Sequence, residues 1–367
     1  MKAPGSISCR GSLDEYEIEA KALFEALRGS DRAAAWRFKW EHPRFRGKSV
    51  TDVDSSRLAL ADARMVIARE HGFEAWSDLR ALVEAVEDDQ GVQRFEAAAD
   101  AVVDGALAKL QSMLREHPEL ARARSTRRHH ATLLHYLGAN GVEHGRQKTP
   151  PNAVEICRLL LEAGAEVDAL ADMYDQKCTT LSLLVSSSPP AEAGLQAALA
   201  ETLLDHGAAF DGPGSAWQSA VMTALVFGFP ETAERLARRG GEVTSLPIAA
   251  GLGRIEDARR LLPASDAPGR HAALALAAQL GRTEVVRLLL DAGEDPDRYN
   301  PEGFHAHATP LHQAVWGSHE AVVRLLIERG ARLDLRDTLF DGTPLGWAEH
   351  GHREAAAALL RESGAPG

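Results

Sequence analysis

Short apolar stripes run along this chain in pairs, and most pairs end at a glycine. In "ATPLHQAVWGSHEAVVRLLIERGA", residues 308 to 331, a small alanine-bearing stripe precedes an amphipathic one. Apolar positions three and four residues apart predict a helix for each. Related stretches begin at Phe95, Thr132, Thr179, Ser219, Thr244, Ala272 and Thr343. Such self-similarity predicts a serial array, because one helix pair cannot bury its own apolar face and a stack can.

Local chemistry accounts for the shared pattern. Thr309 can cap a helix, Pro310 stands where no N–H is needed, and Leu311 faces the core. Ala224, Ala249, Ala250, Ala277, Ala278 and Ala314 allow neighbouring first helices to approach closely. Leu288-Leu289 and Leu325-Leu326 supply the interface between second helices. Gly164, Gly207, Gly293 and Gly330 end those helices where a left-handed residue is needed.

The Thr309-Pro310-Leu311-His312 motif, the Ala-x-x-Gly step and the Leu-Leu-(x)3-Gly-Ala ending resemble ankyrin repeats over roughly residues 95 to 364. The resemblance implies an all-α fold, an ankyrin-repeat α-solenoid of about eight irregular repeats. It further implies that Thr309 and His312 hydrogen-bond within the hairpin–helix corner, and that His135 does so in part. The units at 219 and 244 lack the motif's Pro and His, so shortened hairpins are expected around residues 211 to 270.

Residues 1–90 do not repeat and are expected to form a small helical N-terminal region ahead of an array over residues 91–367. Ser12-Leu-Asp-Glu15 is a capping box that opens an amphipathic helix. Three further helices are expected, the last two bounded by Gly72 and Ser77. The stretch "IAREHGFEAWSDLRALV" resembles the helical leader that precedes ankyrin arrays in many bacterial proteins. It is read as a cap that shields the first repeat.

Composition narrows the function. Hydrophobic residues make up 45% of the chain but aromatic ones only 5%, so the core must be aliphatic and close-packed. A formal net charge of −12 opposes binding to nucleic acid or anionic membrane. The basic run from Arg122 to His130 is read as a solvated loop. The unclustered cysteines Cys9, Cys157 and Cys178 are no disulfide framework and favour a reducing compartment. Cys157 is read as buried and Cys178 as exposed. Residues 1 to 20 lack the apolar core of a signal peptide, and no stretch approaches a membrane span, so a cytoplasmic location is expected.

Little here points to chemistry. Gly47-Lys48-Ser49 ends like a phosphate loop, but His42 stands where the loop's first glycine belongs. His305-Ala-His307 and His350-Gly-His352 lack a nearby Cys or carboxylate at ligand spacing. No metal, cofactor or catalytic group is expected. The register instead places the residues before each helix-ending glycine on a concave face, beginning with Ala139-Asn140. Phe227, Leu252, Gln279, Leu280 and Trp316 are the binding candidates there, with Leu252 joining the aromatics in an apolar strip. Tyr174, Tyr299, Phe304 and Phe340 are candidates on hairpin tips, while Trp347 is read as packing in place of a core leucine. Proline-bearing insertions after Gly141 and Ser186 offer further surface. The expected function is a monomeric intracellular scaffold for a protein or peptide partner. The alternative is a small-molecule binder, or an unusual cofactor-independent enzyme, with a pocket among the distorted central repeats near Phe227, Phe229 and Leu252.

Overall fold

Alternating small and leucine-rich stripes fold into short antiparallel helix pairs. The computed structural model describes residues 12–45, 47–54, 58–138, 143, 146–213, 219–241 and 243–366. Cys9, the Ala139-Asn140 pair, and residues 142, 144 and 145 of the first insertion lie outside the described residues. The chain divides into two compact units, Met1–Gly214 and Ser215–Gly367. Among the described residues it is mostly helical. The strands there are Ala171–Met173 and Gln176–Cys178, which pair as one antiparallel hairpin.

In the second unit the pairs are Ala220–Val226 with Pro230–Arg238, Leu246–Leu252 with Ile255–Leu261, and Ala267–Gln279 with Thr283–Asp291. Pro310–Trp316 with Glu320–Glu328, and Pro344–His350 with Glu354–Glu362, follow. Each first helix packs on the next, and from Ile255–Leu261 onward each second helix does so too. Ala249, Ala250, Ala277, Ala278, Ala314 and Ala348 are wholly buried between first helices. Space is so tight that a Cβ on Gly251 would lie 2.9 Å from Leu225 Cδ1. The second helices end at Gly293 and Gly330, whose φ values of 91° and 85° need a residue tolerant of the left-handed region.

The loss of a regular hairpin before residue 270 has a local cause. Asp266 accepts from the Gly269 N–H at 2.8 Å and starts a helix of 13 residues, Ala267–Gln279, inside what would otherwise be the hairpin.

The threonine–histidine corner forms as the motif implies. The Thr309 N–H donates to His312 Nδ1 at 3.3 Å, and the Thr309 hydroxyl lies 2.8 Å from the same nitrogen. With Nδ1 accepting, Nε2 carries the proton and donates to the Gly342 carbonyl at 3.1 Å. Each corner thereby ties one helix to the following hairpin. His135 repeats the arrangement with Thr132 and the Cys178 carbonyl, and burial pushes its imidazole down to about 4, so it is neutral at pH 7.

In the first unit, a core running from Tyr16 to Val92 joins helices Leu13–Arg28, Arg32–Glu41, Leu60–Glu70 and Trp76–Asp88. Glu15 accepts from the Ser12 N–H at 3.0 Å, half of the expected capping box. Helix pairs Gln90–Val103 with Leu107–Glu116, His135–Gly138 with Ala153–Glu162, and Thr180–Leu184 with Gln196–Asp205 come next. The second insertion folds as a short helix, Ser188–Glu192.

Two expectations are corrected here. Cys178 is buried behind the strand hairpin, and its thiol is pushed up by that burial. The basic run is not uniformly solvated, for Arg127 is only 4% exposed and His129 is buried too. Arg127 pairs with Glu96 at 3.0 Å and Glu143 at 2.8 Å. Arg146 pairs with Glu96 at 2.8 Å, Asp100 at 2.7 Å and Glu143 at 3.1 Å. The Tyr136 hydroxyl donates to Glu143 at 2.6 Å. A cluster of this kind is costly to desolvate, yet removing one member strands the others.

Burial alone would raise the Glu143 carboxyl, but Arg127 and Arg146 outweigh it and hold it at about 2 against an ordinary 4.5. Its folded-state value is depressed, so its stabilisation is complete above 4.5 and lost as pH falls through about 2. Glu143→Gln should therefore cost about 3 kcal/mol at pH 7 in urea unfolding followed by circular dichroism. The gap between wild type and variant should narrow across that acid window. A gap independent of pH would contradict the assignment.

Candidate functional site

Two register positions recur one repeat apart. Gln313 and Trp316 lie one turn from each other on Pro310–Trp316, and Trp347 and His350 stand 34 residues on, at the matching positions of Pro344–His350. Because the two helices pack side by side, these four side chains line one cavity. The hairpin carrying His305 and His307 and the turn carrying Phe340 close its sides. The cavity measures about 520 Å³ and is mostly apolar, within the usual range for a ligand pocket.

The aromatic walls lean on one another. The Trp316 and Trp347 rings meet edge to face at 5.9 Å and 77°. His307 lies 5.8 Å from Trp347 and meets Phe340 edge to face at 5.9 Å. Two glycines allow this closeness. A Cβ on Gly342 would meet Trp347 Cδ1 at 2.9 Å, and one on Gly351 would meet Trp316 Cζ3 at 3.1 Å.

Asp337 fixes both walls from behind. Its carboxylate accepts from the Phe340 N–H at 2.6 Å, the Leu339 N–H at 2.9 Å and the Gly342 N–H at 2.8 Å. It also accepts from the Trp347 indole N–H at 2.9 Å. Burial pushes this carboxyl up, but the N–H donors outweigh burial and hold it below the usual carboxylate range. Asp337 is thus a buried anion whose hydrogen-bond partners are all neutral.

Of the expected site residues, the fold brings together only Trp316 and Phe340, which are 45% and 64% exposed at the cavity wall. Phe227 is 46% exposed, and Leu252 is half-buried, but neither lines the cavity. The continuous strip is not present. Leu280 is buried, and the half-buried Gln279 spends its amide on the Val226 carbonyl at 2.9 Å. The cause is the next repeat, whose His319 donates to the Gln279 carbonyl at 2.9 Å. His305 also reaches across to the Val226 carbonyl at 3.3 Å.

Among the hairpin residues, Tyr174 is exposed on the strand turn of the first unit. Tyr299 is half-buried and donates its hydroxyl to the Arg336 carbonyl at 2.5 Å, while Phe304 is half-buried. Nor does the cavity lie among the central repeats near Phe227, Phe229 and Leu252, where the alternative placed one. It belongs to the last two helix pairs.

Trp347, His307, His350 and Asp337 were not identified as binding residues from sequence. Trp347 aligns with Gln313 rather than with a core leucine, and that alignment was the available signal. Among the described residues no three His, Cys, Asp or Glu side chains are grouped to hold a metal ion.

Paired helices stacked in series and tied by threonine–histidine corners define a helical repeat protein. The comparison with known families agrees in kind. A model described as ankyrin repeats, in three copies, matches residues 246–337 and again 274–366, so ankyrin repeats occupy this C-terminal part of the chain. No curated protein matches the chain.

Asp337→Asn should turn an amide N–H toward donors that now point at an oxygen. The expected cost is about 2 kcal/mol of stability, with a weakened tryptophan band in near-ultraviolet circular dichroism. An unchanged band would show that Asp337 does not position the indole.

Proposed function

We propose that this chain is a protein-binding scaffold whose second unit engages a protein or peptide partner at the pocket walled by Trp316, Trp347 and Phe340. Ankyrin repeats are generally protein–protein interaction modules, which supports the class of activity. The observation that carries the location is a cavity of about 520 Å³ with half-exposed Trp316 and exposed Phe340 on its wall. Leu339, also exposed, extends the apolar surface beside Phe340. Exposed contiguous apolar surface marks contact sites, and tryptophan is enriched among binding hot spots.

Preorganisation is the mechanism. The Asp337 bonds and the flanking glycines set the walls before a partner arrives, so little side-chain freedom remains to be lost. In the full reading, about eight repeats form one solenoid, residues 1–90 act as its cap, and the chain works as a monomer in the bacterial cytoplasm. The buried thiols Cys157 and Cys178, neither of them in a disulfide, fit a reducing compartment. No helix among the described residues is long and apolar enough to cross a membrane.

The test is affinity for a partner recovered by pull-down with the full chain. Trp316→Ala and Phe340→Ala should each weaken binding by about 2 kcal/mol, roughly thirtyfold. Unchanged affinity in both would remove the pocket from the interface.

A further inference from the structure

The walls of the pocket select among side chains that could enter it. Three aromatic carbocyclic or indole walls, Trp316, Trp347 and Phe340, surround the space, and no lysine or arginine lines it. Aromatic faces carry negative potential and attract cations within about 6 Å. The chain already uses this property, since the Arg353 guanidinium sits 5.6 Å from the Trp316 ring centre. Arg353 does not line the cavity, whereas Trp316 does.

Asp337 adds a second, independent bias. It is 2% exposed, its hydrogen-bond partners are backbone and indole N–H groups, and it holds the Trp347 N–H at 2.9 Å. A carboxylate that accepts from an indole N–H raises electron density in that ring, and its own field reaches the cavity through a low-dielectric wall. Asp341 and Glu349 do not supply this bias, because each is paired, with Arg336 at 3.5 Å and Arg361 at 2.6 Å.

Charge sign alone does not choose the cation. A bare ammonium has three N–H donors and a guanidinium five. The cavity lining is mostly apolar, its polar side chains being the Gln313 amide and the imidazoles of His305, His307 and His350. The Gly342 carbonyl on its wall already accepts from the His312 ring and the Asp337 N–H. Unmet N–H donors would make either group costly to bury. A methylated ammonium keeps the charge, has few or no N–H donors, and fits apolar walls.

From the aromatic walls, the Asp337 anion held by neutral donors and the mostly apolar lining, we propose that the pocket receives the methylated ammonium head of a partner's lysine side chain. The proposal rests on the reading of this unit as a protein-binding surface. Trp316 and Phe340 flank the opening through which the side chain enters. Asp337 acts as a positioning residue that sets the second indole and charges the wall.

The experiment titrates the folded full chain with Nα-acetyl-trimethyllysine methylamide while following the indole N–H resonances of Trp316 and Trp347. Three controls accompany it: the unmethylated lysine compound, its neutral tert-butyl isostere, and tetramethylammonium. The trimethylated compound should bind saturably, about tenfold more tightly than the lysine compound or the isostere. Trp316→Ala, checked for native circular dichroism, should abolish the saturable shifts, and Asp337→Asn should weaken them severalfold. Charge-neutral Phe340→Leu serves as a folded control and should weaken binding less than Trp316→Ala. Equal binding of the isostere would overturn recognition of charge, yet leave the pocket as an apolar anchor. Tetramethylammonium binding as tightly as the trimethyllysine compound would overturn the assignment to a peptide side chain. Failure of the anchor itself would show separately, as unchanged partner affinity in Trp316→Ala.

Discussion

Neighbouring first helices in the second unit approach closely at buried alanine and glycine positions, and the rest of that unit follows from the closeness. Ala249, Ala277, Ala314 and Ala348 are wholly buried at successive interfaces. A helix of about seven residues, such as Pro310–Trp316, contributes little intrinsic stability. It is held by the helices on either side and by its corner histidine, which bonds into the next hairpin. Repetition at a fixed step then brings equivalent residues of adjacent repeats together. Gly351 leaves room for the Trp316 ring, since a Cβ there would lie 3.1 Å from its Cζ3.

Polar groups in the two units solve different problems. In the first unit Arg127 and Arg146 bind three carboxylates out of water, fastening the turn near residue 127 to the helix Gln90–Val103 and to Glu143. Those charges compensate one another. In the second unit Asp337 keeps its charge with neutral donors alone, at the back of an apolar cavity. One arrangement fixes a loop, while the other gives a surface its electrical character.

Features set by local periodicity were legible in the chain. The helix pairs, the Thr309–His312 corner and the left-handed glycines each follow from neighbours within a few residues. Long-range pairing was not. The basic run around Arg127 reads as surface because its partner Glu96 stands 31 positions away. Leu280 occupies a register position that faces outward in an ideal repeat, but it is buried, and His319 of the next repeat packs at Gln279 and Gly281 beside it. Trp347 does pack against the core, but its place on the cavity wall depends on a turn, residues 337 to 342, whose N–H groups converge on one carboxylate. Candidate residues on the wall follow from register, for Trp316, and from a hairpin-tip position, for Phe340, whereas the groups that shape the wall do not.

The last two repeats pack so that their tryptophans share one wall of an open cavity, and the site depends on that packing. Proton–proton Overhauser contacts in the full chain test that most directly. The account predicts contacts from the Trp316 ring to the Gly351 α-protons and the Trp347 indole, with the Trp347 N–H protected by Asp337. A Trp316 ring that contacts only its own helix, beside a rapidly exchanging Trp347 N–H, would contradict it.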